Sequence, residues 1–203
     1  MIKIINIDNA EKSDILTRDI KLESGVEAIV ADIIKNVREN GDNALKEYSL
    51  RFDKAEIENL RVTQEEIDAA YENEDKALIK TLEMAKANIW NFHEKQLRKG
   101  FEINNGDGTV SGQKITPIEK VGIYVPGGTA SYPSTVLMNA IPAKIAGVSE
   151  IIMVTPPDKN GNIPSAILCA AKIAGVDTII KTGGAQAVAA LAYGTESVPK
   201  ADK

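Results

Sequence analysis

Apolar residues along this chain change their period twice, and each change marks a different kind of element. Val26, Ile29, Val30, Ile33, Ile34 and Val37 recur at helical spacing. That predicts an amphipathic helix closed by Asn40-Gly41, two residues that tolerate left-handed backbone. Asp42 is placed to cap a second helix running through Phe52. Thr63 with Glu66 reads as a capping box opening a third. A long helix from about Asp75 to Leu97 carries Leu78, Leu82, Ala85, Ile89 and Phe92 along one side. Ahead of all these, Ile2 to Ile7 alternates weakly, as a strand or an extended arm. After Gly100, Asn105-Gly106 and Asp107-Gly108 stand between apolar or β-branched flanks and predict a β-hairpin.

From Val121 onward the pattern is that of alternating strands and helices. Val121, Ile123 and Val125 end abruptly at Pro126, Gly127 and Gly128, where glycine lets a backbone bend and approach a ligand without a Cβ in the way. Ser134 then offers a hydroxyl N-cap to a helix carrying Val136, Leu137, Ile141 and Ile145. A strand-turn-helix of this kind presents unpaired N–H groups to anions, so phosphate or a dinucleotide is its natural guest. The spacing is not G-x-G-x-x-G, and a turn whose glycines are purely structural remains the competing reading.

An internal repeat supplies the topology. KIAGVSEII at Lys144–Ile152 returns as KIAGVDTII at Lys172–Ile180, an offset of 28 residues that matches a βαβ unit. The predicted strands are Val121–Val125, Glu150–Thr155 and Thr178–Thr182; the predicted helices are Ser134–Ala146, Ser165–Ala174 and Ala185–Tyr193. Right-handed crossovers turn them into a parallel, Rossmann-like sheet. Turn residues follow every strand, including Thr155-Pro156-Pro157 and Thr182-Gly183-Gly184, so the carboxyl edge is where a ligand belongs. The fold class is therefore α/β. Residues 1–118 form an arm, a helical lead-in and a short hairpin, and residues 119–203 form a Rossmann-like unit.

Composition narrows the function. A chain of 203 residues fits one or two compact units. Hydrophobic residues make up 43% and aromatics only 4%, so the core is built from Ile, Leu, Val and Ala. A net charge of −5 without a Lys/Arg cluster argues against a nucleic-acid surface. No apolar run reaches the length of a membrane span, and no basic segment precedes an apolar leader, which predicts a cytoplasmic protein without membrane contact. Cys169, in AILCAAKIAG, reads as a buried, unreactive thiol in a reducing compartment. His93 is the one histidine, and with no His/Cys/Asp cluster at ligand spacing no metal site assembles from the sequence.

Several blocks resemble one known family. YVPGG at Tyr124–Gly128, STVLMNAIPAKIAG at Ser134–Gly147 and GGAQAVAALAYGTESVPK at Gly183–Lys200 are similar to histidinol dehydrogenases, and IWNFHEKQ at Ile89–Gln96 resembles the segment before that family's first glycine turn. The resemblance implies an enzyme that oxidises L-histidinol through histidinal to L-histidine, reduces two NAD, holds zinc, and works as a homodimer of aldehyde-dehydrogenase-like two-domain subunits. Tyr124 and Gln186 fall on the family's NAD contacts, and on their own residues each is either packing or ligand-facing. Pro126, Gly127 and Gly128 are further cofactor-binding candidates. Ser134 and Thr135 are read as capping residues.

The family's zinc ligands, its Glu-His pair for proton transfer and a further Gly-Pro-Gly-Asn cofactor turn all fall beyond the segment matching Lys203. The chain is thus expected to carry no catalytic or metal-binding residue and to be inactive alone. A paralogue oxidising another small polyol, or a stand-alone binding or assembly module, are the alternative readings.

Overall fold

The periods read from the sequence become elements close to their predicted bounds in a computed structural model that describes residues 25–127 and 131–203. The Ile2–Ile7 arm and Gly128 lie outside the described residues. First come α1 (Val26–Tyr48), a π-helical turn (Ser49–Asp53), α2 (Gln64–Asn73) and α3 (Lys76–His93), which a 3-10 turn extends through Gln96. The hairpin β1 (Phe101–Asn104) and β2 (Val110–Gln113) follows. Then β3 (Lys120–Tyr124), α4 (Pro133–Ala146), β4 (Glu150–Thr155), α5 (Ser165–Ala174), β5 (Thr178–Lys181) and α6 (Gly184–Tyr193) alternate.

Strands β3, β4 and β5 form a parallel sheet in that order, with Ile123 opposite Met153 and Met153 opposite Ile179. Backbone covers both of its edges. Beside β5, Val62 N–H donates to Ile179 O at 2.9 Å and Lys181 N–H to Leu60 O at 2.7 Å. Beside β3, Gly122 N–H donates to Lys203 O at 2.8 Å and Asp202 N–H to Lys120 O at 2.9 Å. An edge paired in this way offers no free ladder to another chain.

Each face of the sheet has its own core. One face packs Ile151, Met153 and Ile179 against Leu137 and Ile141 of α4 and Leu168 and Ile173 of α5, with α2 and α3 laid outside those helices. The other packs Ile152, Val154 and Ile180 against Val37 and Leu45 of α1 and Ala187 and Ala190 of α6. The helical first part of the chain is therefore packed onto the sheet unit. Burying both faces explains why β4 reads as a continuous apolar run, whereas a half-exposed strand would alternate.

The sequence repeat has a direct structural meaning. Gly147 and Gly175 end α4 and α5 in left-handed conformation, φ 90° and 79°; Gly147 donates its N–H to the carbonyls of Ala143 and Lys144, and Gly175 to those of Ala171 and Lys172. The two copies are then stitched together by Asp177, whose carboxylate accepts from Ile151 N–H and Lys144 Nζ, both at 2.8 Å.

At Gly41 the helix breaks as its sequence predicts: the backbone turns to φ 52°, ψ −128°, with Glu196 packed where a Cβ would stand, and a second helical stretch runs on to Tyr48. Two local expectations are corrected. Asp42 caps no helix; its carboxylate is taken by Thr195 and Ser197 from the far end of the chain. Ser134 is not the N-cap of α4. Tyr132 takes that position without a side-chain bond, since Pro133, with its φ already helical and no N–H to satisfy, opens the helix one residue earlier.

Candidate functional site

The three strand ends converge on one proline. A Cβ added at Gly127 would meet Pro156 Cγ at 2.5 Å, and one at Gly183 would meet Pro156 Cβ at 2.7 Å. Neither glycine has positive φ, so both are demanded by close approach to Pro156. Sequence reasoning noted Thr155-Pro156-Pro157 only as a turn. Nothing in its local pattern announces a wedge between two other strand ends.

Tyr124, at the end of β3, is 40% exposed, and its hydroxyl accepts from Gly184 N–H at 3.1 Å. Gln186, in the first turn of α6, is 2% exposed. Its amide lies over Gly184: a Cβ there would stand 2.7 Å from Gln186 Oε1. The fold thus brings Tyr124 and Gln186, from two different elements, onto one glycine. The first-turn N–H groups of α6 have no intrahelical partner and give this spot a positive dipole end.

Pro126 and Gly127 stand apart from that pair. They line a groove of about 610 Å³ shared with Asp53, Thr155, Lys159 and Ile167. Tyr124 lines a second groove of about 440 Å³ with Leu191 and Lys200–Lys203. Both volumes fall in the range of small-molecule sites.

Asp53 is a wall residue that sequence reasoning missed, since it closes a helical segment far from any glycine turn. One of its carboxylate oxygens, Oδ2, is buried without a partner among the described residues, and burial pushes its pKa above the ordinary carboxylate value. Thr182 Oγ1, one residue before the Gly183-Gly184 turn, is likewise buried with no partner among the described residues.

Other candidates stay clear of the strand ends. His93 Nδ1 lies 2.7 Å from Gln96 Oε1, in a hollow shared with Pro142 and Ile145. Cys169 is buried in the core and burial pushes its thiol up, which keeps it protonated. Among the described residues no group of three or more His, Cys, Asp and Glu side chains is arranged to hold a metal ion. Among them, too, no helix is long and apolar enough to cross a membrane.

Comparison with known proteins identifies the family. The family model for histidinol dehydrogenase matches residues 16–203. Histidinol dehydrogenase of Lactiplantibacillus plantarum is 53% identical over 99% of this chain and 47% of its own length. That of Streptococcus mutans is 51% identical over 99% of this chain and 46% of its own. The crystal structure of histidinol dehydrogenase from Elizabethkingia anophelis superposes with a TM-score of 0.87 at 39% identity, covering 94% of this chain and 44% of that one. The chain spans about half the length of the curated relatives it matches. Over that span, sequence and fold agree that this chain belongs to the histidinol dehydrogenase family.

Proposed function

We propose that this chain supplies the NAD-binding strand-end turns of a zinc-containing histidinol dehydrogenase that converts L-histidinol to L-histidine. The observation that carries the reading is the meeting of Tyr124, Gly184 and Gln186 at the carboxyl edge of a parallel sheet, where open α/β folds take their ligands. NAD, when bound, supplies the hydride acceptor.

The residues fit such a guest. Tyr124 accepts a hydrogen bond from Gly184 N–H and keeps its own proton, so its hydroxyl can donate to a phosphate or ribose oxygen. The start of α6 favours negative charge. Asp53 lines the groove beside Gly127 and adds a carboxylate to its wall. Zinc and the proton-transfer groups are assigned to parts of the family's length that this chain does not match, so no chemical step is assigned to its residues and the chain alone is read as inactive.

Equilibrium binding tests this. With only part of a cofactor surround, NAD should bind with a dissociation constant in the high micromolar to millimolar range, about −4 to −6 kcal/mol. Tyr124→Ala or Gln186→Ala should weaken it further, whereas Ser111→Ala in the hairpin should leave it unchanged. Equal affinity for NAD in all four proteins would remove the turns from the reading, and zinc-dependent oxidation of histidinol by the pure chain would contradict its inactivity.

A further inference from the structure

We infer that Gly184 is a positioning residue: its bare α-carbon and its N–H together set the Tyr124 hydroxyl and the Gln186 amide at the cofactor turn. The inference rests on the reading that those two side chains contact NAD. Three observations meet at this one position. Its φ is +67°, in the left-handed region where a side chain is strained. Its N–H is the donor that holds Tyr124 Oη, at 3.1 Å. The volume a Cβ would fill is taken by the Gln186 amide, with Oε1 at 2.7 Å and both Cδ and Nε2 at 3.2 Å.

Neighbouring glycines separate this role from ordinary turn geometry. Gly183 gives its space to Pro156, a rigid packing contact. Gly175 has nearly the same handedness, φ +79°, but a Cβ there would meet nothing closer than Lys144 Cε at 3.5 Å. Alanine at 175 therefore carries the backbone strain alone. Alanine at 184 carries similar strain and also displaces the Gln186 amide. Because Gln186 is 2% exposed, the amide has no free solvent to retreat into, and the turn must shift. A shifted turn takes the Gly184 N–H away from Tyr124. The hydroxyl would then lose the donor that holds it and be free to rotate.

The experiment uses the 203-residue chain with ¹⁵N labelling, in wild type, Gly184→Ala, Gly175→Ala, Gln186→Ala and the Gly184→Ala/Gln186→Ala double variant. Without ligand, Gly184→Ala should move the Gln186 side-chain amide resonances and the Tyr124 ring signals, and Gly175→Ala should move neither. With NAD, Gly184→Ala should weaken binding roughly tenfold while Gly175→Ala binds as wild type. The double variant should bind no worse than Gln186→Ala by more than about threefold, because residues acting through one contact are not additive. Unchanged NAD affinity in Gly184→Ala, or equal loss in Gly175→Ala, overturns the inference and leaves the cofactor reading intact. A wild-type chain that shows no NAD-induced shift at either turn overturns both.

Discussion

Two β structures in this chain are built on opposite terms. In the β1–β2 hairpin every residue is exposed, including Phe101, Ile103 and Val110, and its pairing rests on backbone bonds and the Asn105–Thr109 turn. In the β3–β4–β5 sheet both faces are buried and both edges are paired. An isolated two-stranded hairpin is marginal in water, and what makes strands stable is the area they bury. The difference explains why ligand candidates gather on the sheet: only a doubly covered sheet holds three strand ends rigidly enough to bring Tyr124, Pro156 and Gly184 together.

Substitutions can break that comparison. The largest effect is expected in the sheet. Ile151 is 0% exposed between α4 and α5 on the central strand, so Ile151→Ala should cost about 2–5 kcal/mol in urea unfolding. A cost under about 1 kcal/mol would mean that the sheet is no better packed than the hairpin.

Next is the clasp between α1 and the segment after α6. Asp42 accepts from Thr195 Oγ1 at 2.6 Å and from Ser197 N–H and Oγ at 3.1 and 2.5 Å. Asp42→Ala should destabilise by about 1–3 kcal/mol. Its burial favours the neutral form, yet the Ser197 and Thr195 hydrogen bonds outweigh this and hold the carboxyl below its ordinary value. A depressed folded-state pKa gives stability that is present above the unfolded carboxylate range and is lost as pH falls through the folded value. Acid titration below about pH 4 should therefore destabilise wild type more steeply than Asp42→Asn. Parallel acid limbs would show that the carboxylate is not held by the tail.

A smaller effect of opposite sign is expected at Thr182. Its buried hydroxyl has no partner among the described residues, so Thr182→Val should stabilise by about 1 kcal/mol. Destabilisation of that size would reveal a partner for the hydroxyl. Smallest of all is Ile103→Ser in the exposed hairpin, expected within about 0.5 kcal/mol of wild type. A loss comparable to that at Ile151 would show the hairpin to be part of a buried structure.

Much of the sheet was legible because its determinants are local and repeated. The KIAG repeat encodes two identical C-caps and two identical strand starts, and α5 matches its predicted bounds, Ser165–Ala174. The Thr63–Glu66 capping box is present in both of its bonds. What the sequence hid are partnerships with no period. Asp42 resembles an N-cap because Asp usually caps locally, and only the fold delivers Thr195 and Ser197 to it. Gln186 reads as a lone polar residue in an apolar helix; its burial against Gly184 depends on a positive φ that no pattern prescribes. Pro156 and Asp53 belong to the strand-end surface through contacts between distant segments, for the same reason.

NAD is proposed to be received by the strand-end turns of the sheet. The most direct measurement is a residue-resolved NMR titration of the labelled chain with NAD. Shifts are expected to centre on residues 124–127 and 183–186, with Asp53 following from the wall of the adjoining groove. Shifts confined to the hairpin or to helices α1–α3, with the two turns silent, would contradict it.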